Sequence, residues 1–258
     1  MKMSVVLRGL PWLPIVFCGR PSWAAEPAAG AVVHSEVWRV SRKKGREVEY
    51  FKGHVRYEGT DARLSADEAI YDHADQRWRA KGRVRIQRVL SSGDLVDARG
   101  DRGSYNQETG SGRLSSQSEV IVKRTPRDGT APDFASGKTL TWRKMGQEGT
   151  LSGRVRAWGP RLKAWAHSAY YDRAKGSLTL NGGRPVAAKT PWKPGDWRGA
   201  VKADRIVATQ PPEDGGGSPS GRTAAQQPQG ASLKRLDADG RAVGWIFFPS
   251  TKELAPRR

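Results

Sequence analysis

Residues 77–87 read Arg-Trp-Arg-Ala-Lys-Gly-Arg-Val-Arg-Ile-Gln. Every even position, Trp78, Ala80, Gly82, Val84 and Ile86, is apolar or glycine, and every odd position is Arg, Lys or Gln. Side chains on a β-strand point to opposite faces in turn, so this stretch has one apolar and one cationic face. A helix would mix the two sets around its axis. Eleven residues of strand reach about 36 Å, roughly twice the usual length. The pattern predicts a long strand with one dry side.

The pattern recurs in two alternating units. The first is Gly-x-Val, at Gly53-His54-Val55, Gly82-Arg83-Val84 and Gly153-Arg154-Val155. Worn copies stand at Ser118-Glu119-Val120 and Gly183-Arg184-Pro185-Val186. The second unit is a strand ending in aromatic-Asp, at 66–72 and 166–172, with weaker copies at 98–106, 135–142 and 203–207. Repeats of about 30 residues mean one supersecondary unit stacked on copies of itself. Here the unit is a strand pair, with turn signals at 72–75, 107–110 and 172–176. The parity of apolar positions predicts the Gly-x-Val segments as adjacent strands over one core. Their glycines are expected to mark bulges where long strands bend over that core.

The fold class is therefore all-β, an elongated stack of antiparallel strand pairs over 33–208. Residues 25–32 are expected to be flexible. Residues 209–230 hold Pro, Gly, Ser and Gln with almost no apolar side chains and predict a disordered linker. Within 231–258, two apolar runs flank Asp239-Gly240, which predicts a hairpin. Trp245-Ile246-Phe247-Phe248 is too apolar to stay bare and is expected to cover a sheet edge.

The start of the chain predicts a cleavable secretory signal over 1–24: Lys2 and Arg8, a short apolar run at 10–17, and a small-x-small site at Ser22-Trp23-Ala24. Eight apolar residues interrupted by Pro11 and Pro14 are too few to span a bilayer, which needs about 20. Cys18 is the only cysteine, and cleavage would leave none, so disulfides, zinc-thiolate sites and thiol catalysis are not expected. The chain carries 45 Lys and Arg against 26 Asp and Glu, a net charge of +19.

Catalytic chemistry is sparse. His34, His54, His73 and His167 form no His-x-x-x-His pair, and no nucleophile elbow, P-loop or dinucleotide fingerprint occurs. No enzyme activity, metal or cofactor is expected. Asp67, Asp72, Asp101, Asp172 and Asp204 are read as caps of turns and repeat boundaries. Arg77, Arg79, Lys81, Arg83 and Arg85 make one cationic row, extended by Arg56, Arg154 and Arg156.

The runs Gly53-His54-Val55-Arg56-Tyr57, Leu64-Ser65-Ala66-Asp67-Glu68-Ala69-Ile70-Tyr71-Asp72 and Gly82-Arg83-Val84-Arg85-Ile86 resemble the OstA-like proteins, the LptA/LptC family of lipopolysaccharide transport. The likeness is closest over 51–88 and recurs at 151–172. His54 stands where the family has Asn, the chain is unusually basic, and it extends beyond 210. The resemblance implies a β-jellyroll folded into a V, with acyl chains along its apolar inside. It also implies a periplasmic location and end-to-end stacking into a bridge toward the outer membrane. The expected groove residues are Val55, Tyr57, Tyr71, Trp78, Val84, Ile86 and Val155. Arg56, Arg83, Arg85, Arg154 and Arg156 are the expected rim for anionic headgroups. Expected partners are lipopolysaccharide or another anionic lipid, related jellyrolls and copies of this chain, but not nucleic acid. The alternative is an envelope protein that binds polyanions through its cationic outside alone.

Overall fold

The computed structural model describes residues 3–6, 32–43, 45–59, 62–90, 92–160, 162–189, 198–209 and 235–247. Most of the expected signal segment and linker lies outside them. Among the described residues the chain is all-β, with seventeen strands and one 3-10 turn at Lys144–Gly146. Three strands come first: β1 Met3–Val6, β2 Val32–Ser35 and β3 Val37–Lys43. Eight long ones follow: β4 Arg46–Glu58, β5 Ala62–Asp72, β6 Arg77–Val89, β7 Leu95–Asn106, β8 Ser111–Thr125, β9 Asp133–Arg143, β10 Glu148–Trp158 and β11 Leu162–Asp172. The last six are β12 Ser177–Asn181, β13 Val186–Lys189, β14 Arg198–Lys202, β15 Arg205–Thr209, β16 Arg235–Asp239 and β17 Val243–Phe247.

Strands β4 to β11 form an antiparallel meander. Every pair in it has a register break near its middle, as between Lys81 and Val84 on β6. At each end of the sheet the break divides the strand altogether. Strands β2 and β3 pair with the two halves of β4, and β13 and β12 pair with the two halves of β11. Beyond them β14 follows β13 and β15 follows β12. The sheet thus has two arms joined along a line of corners. One arm holds β3, β12, β15 and β16 with the matching halves of the long strands; the other holds β2, β13, β14 and β17. The sheet is not closed, and the architecture is an elongated β-jellyroll.

Backbone conformation makes the corner. Gly53, Gly82 and Gly153 have φ of 82°, 77° and 84°, and the residues after them, His54, Arg83 and Arg154, also have positive φ. Two residues in a left-handed conformation insert one extra residue against the neighbouring strand, which bends the strand. The glycine has a second reason. A Cβ on Gly82 would collide with the Asp67 carboxylate, and one on Gly53 would collide with Glu36. A Cβ on Gly153 would lie 2.7 Å from Lys138 Cβ.

The bulge also decides the sequence pattern. On β6 the inward positions keep one parity through the corner: Trp78 and Ala80, then Val84 and Ile86. Its partner β5 changes parity: Tyr71 and Ala69, then Ala66 and Leu64. Strands of the two kinds alternate. The expected adjacency of the Gly-x-Val segments is therefore corrected: β4, β6, β8 and β10 are separated by β5, β7 and β9. A bulged strand next to another bulged strand would cancel the offset that creates the bend.

Inward side chains of both arms share one thin core. Val55, Val84, Val120 and Val155 occupy equivalent positions after four corners and are at most 2% exposed. In the fifth copy Pro185, not Val186, takes the buried place. The expected hairpin at Asp239-Gly240 is also corrected. Strand β16 pairs with β15 and β17 pairs with β14, so Gly240, with φ of 71°, is another corner. The C-terminal segment is a further rung of the jellyroll, and its strand β17 runs along β14 as the expected edge cover.

Gly82→Ala and Gly129→Ala separate corner packing from backbone strain. Both glycines have positive φ, but Gly129 has open space around its missing Cβ. We expect Gly82→Ala to cost at least ~1 kcal/mol more in urea unfolding, because the Asp67 contact must move as well. Equal losses would show that the corner contact is immaterial.

Candidate functional site

The expected groove residues all lie on the inward face, in three successive clusters. Val55 and Trp78 pack with Phe51, Ala69, Tyr57 and Tyr71 at the N-terminal end. Val84 and Ile86 belong to the middle cluster, and Val155 to the C-terminal one. The N-terminal cluster is aromatic: Trp78 stacks on Tyr71 at 4.7 Å and on Phe51 at 5.8 Å, with Tyr57 tilted against it at 5.4 Å. The Trp78 indole N–H is buried without a hydrogen-bond partner. Tyr71 donates to Gln107 Oε1, and burial pushes its hydroxyl above the ordinary pKa.

These positions do not form an open slot. Val55, Val84 and Val155 are 0%, 1% and 2% exposed, so the two arms are in contact over them. What fills the narrow space is small: among the described residues, nine of the twenty buried aliphatic and aromatic side chains are alanine. Alanine faces slide and separate with less loss of interlocked contact than leucine or phenylalanine faces. An open depression lies elsewhere, on the outer face of the first arm. Its lining includes Tyr170, Asp172, Lys175 and Arg205, and it is too polar to receive acyl chains.

The single cationic row expected along β6 is divided by the corner. Arg77, Arg79 and Lys81 lie on the first arm, Arg83 at the corner, and Arg85 on the second arm. The five expected rim residues fall into two lines. Arg56, Arg85 and Arg156 share one cross-strand row on the second arm, through Ser65, Arg99, Ile121 and Ser136. Arg83 and Arg154 lie on the corner line. Three of the five are held by carboxylates. Arg83 donates to Asp67 at 2.6 Å, Arg85 to Asp97 at 2.6 Å, and Arg156 to Glu119 at 2.7 Å.

The carboxylates explain the rest of the corner line. The Arg83 guanidinium holds Asp67 below the usual carboxylate range. Asp101 accepts from the Gln117 N–H at 2.7 Å and from Ser116, where β8 bulges without a glycine. Asp204 accepts from the Arg241 N–H and side chain at the last corner. Glu36 receives His54 Nδ1 at 2.8 Å at the first. Asp72 and Asp172 sit instead at turns and accept the N–H of Ala74 and Lys175, as expected. Asp67, Asp101 and Asp204 cap corners, not turns.

One buried group has no local signal in the sequence. Glu49 is 3% exposed and takes the Trp38 indole N–H at 2.7 Å and His73 Nε2 at 2.6 Å. Glu47 lies beside His73 and accepts from Arg42 at 2.6 Å. Ligand atoms of Glu47, Glu49 and His73 lie within 4.8 Å of one another. The partners are 11 and 24 residues away from Glu49, so only strand pairing brings them together.

No family model matches the chain, and no curated protein matches it.

Arg85→Ser and Arg79→Ser test the division of the cationic row. Asp97 is 7% exposed, and loss of Arg85 strips its bidentate partner. We expect Arg85→Ser to cost about 1–3 kcal/mol, and Arg79→Ser less than about 0.5 kcal/mol. Equal effects would contradict the division. The same pair gives a pH signature. Burial raises the Asp97 pKa, but Arg85 and Arg99 outweigh it, and the carboxyl is held below its ordinary value. The folded state therefore gains stability from this group above its unfolded pKa and loses it as pH falls through the lowered folded value. In acid titration, Asp97→Asn is expected to flatten the stability curve below pH ~4.

Proposed function

We propose that this protein is a periplasmic lipid carrier or bridge, of the kind its OstA-like repeats suggest, that takes lipopolysaccharide or another multi-acyl anionic lipid between its two arms. The observation that carries the reading is the long inward apolar face of a bent, unclosed sheet. It comprises three successive apolar clusters, from Val33 in the first to Ile206 in the last, with the buried Glu49 at the N-terminal end. Each buried methylene of an acyl chain contributes about 0.8 kcal/mol. A long inward face with small residues supplies that burial once the arms part. Cargo binding would thus be coupled to opening of the V.

The sheet edges support transfer between molecules. Strand β3 pairs only with β4, and β16 only with β15, among the described residues. Both edges belong to the first arm, so one molecule's β16 matches the next molecule's β3 in a head-to-tail stack. An edge strand with unpaired N–H and C=O groups favours such addition. The polyanion-binding alternative draws less support, because Arg83, Arg85 and Arg156 are already neutralised by carboxylates.

Two measurements bear on this. Mass spectrometry of the full chain isolated from its native envelope is expected to find a multi-acyl anionic lipid. Absence of lipid together with salt-sensitive polyanion binding would reverse the reading. In a Cys18→Ser background, cysteines at Arg39 on β3 and Asp237 on β16 are expected to join different molecules. A strict monomer that captures no envelope partner would exclude the bridge.

A further inference from the structure

The two arms have different outer faces in the C-terminal half of the sheet. On the first arm, one cross-strand row runs Thr141, Thr150, Tyr170, Thr179, Val207 and Asp237. It is mostly hydroxyl-bearing. The second arm is opposite in character. Beyond the corner, the outward positions with described side chains on its strands β8, β9, β10, β11, β13, β14 and β17 number fifteen. Nine of these are apolar, four are cationic and none is a carboxylate.

Five of the apolar members are large and exposed. Trp158, Trp165 and Trp245 are 38%, 44% and 45% exposed, and Ile121 and Val243 are 44% and 45% exposed. Phe134 and Trp158 stack on the surface with centroids 5.5 Å apart, and the Lys123 ammonium lies 6.0 Å from the Phe134 ring. Lys163 pairs with Trp158 and stands two residues from Trp165, Lys202 pairs with Val243 two residues from Trp245, and Arg156 is held by Glu119. The face is about 29 Å across its seven strands.

A surface kept soluble by charge would not collect tryptophans on one arm and hydroxyls on the other. We propose that this outer face of the second arm docks the protein on an anionic membrane surface. Tryptophan rings favour the headgroup layer of a bilayer, and lysines beside them are drawn to anionic lipids. Lys123, Lys163 and Lys202 supply the complementarity, Arg156 being paired with Glu119. The apolar share is too high for a phosphate-backbone track, where cations lead. The site is separate from the interior: the carrier reading can fail while this one stands, and the reverse.

The test is co-sedimentation of the full chain with vesicles of phosphatidylcholine alone or mixed with phosphatidylglycerol. The variants are Trp158→Ser/Trp165→Ser/Trp245→Ser and Lys123→Glu/Lys163→Glu/Lys202→Glu, with Tyr170→Ser/Val207→Ser on the other arm as control. We expect binding to the anionic vesicles only, a loss of at least about tenfold in each second-arm variant, and no change in the control. Far-UV circular dichroism checks the fold. Should the tryptophan variant unfold, the lysine variant decides. Equal binding to both vesicle types, wild-type binding by the second-arm variants, or equal loss in the control overturns the proposal. So does binding of a single-stranded oligonucleotide or polyglutamate in place of vesicles.

Discussion

The structure depends on one local event repeated along a line: two consecutive residues in the left-handed conformation at the centre of a long strand. Gly82-Arg83 is the clearest case. The bulge inserts a residue on β6 but not on its neighbours, and the sheet must bend there. Bending turns one wide sheet into two arms whose apolar faces meet. Without it, Val84 and Ala80 would lie on an open surface. The adjacent strand supplies a side chain that seals the bend, usually a carboxylate: Glu36, Asp67, Asp101 and Asp204. At Gly53, Gly82 and Gly240 glycine is needed because that side chain occupies the space of a Cβ.

The same event explains how much could be read from the sequence. On the bulged strands, inward residues keep a strict alternation through the corner, so 77–87 was legible as a strand with one dry face. On the partner strands the alternation skips one residue, and Leu64, Ala66, Ala69 and Tyr71 appear as an irregular pattern. The all-β class, the bulging glycines and the buried valines followed from parity alone. The order of the strands did not, because parity says which face a residue takes but not which strand lies beside it. The last corner, Gly240-Arg241, was hidden because Asp-Gly between apolar runs is also a hairpin signal. Its resemblance to Gly82-Arg83 was the available clue. Glu49 and His73 had none, since their proximity arises only from strand pairing.

Charge is distributed less simply than a net value of +19 suggests. Many arginines serve the scaffold. Arg85 and Arg99 neutralise the buried Asp97, and Arg124 does the same for Asp94 at 2.6 Å. Such pairs gain little net stability over apolar contacts, but removing one partner is costly. The cations left for other work lie on outer faces, and on the second arm they are interleaved with exposed aromatic side chains. The interior therefore depends on apolar area, and the exterior on how charge and aromatic rings are shared between two arms.

The central claim is that the inward face between the arms accommodates acyl chains. A photo-crosslinking side chain placed at Ile86, which faces the core, and at Arg79, which faces out on the first arm, tests it most directly in cells. Lipid adducts at Ile86 and none at Arg79 are the predicted result. Adducts at Arg79 alone, or no lipid at Ile86 in a folded and exported protein, would contradict it.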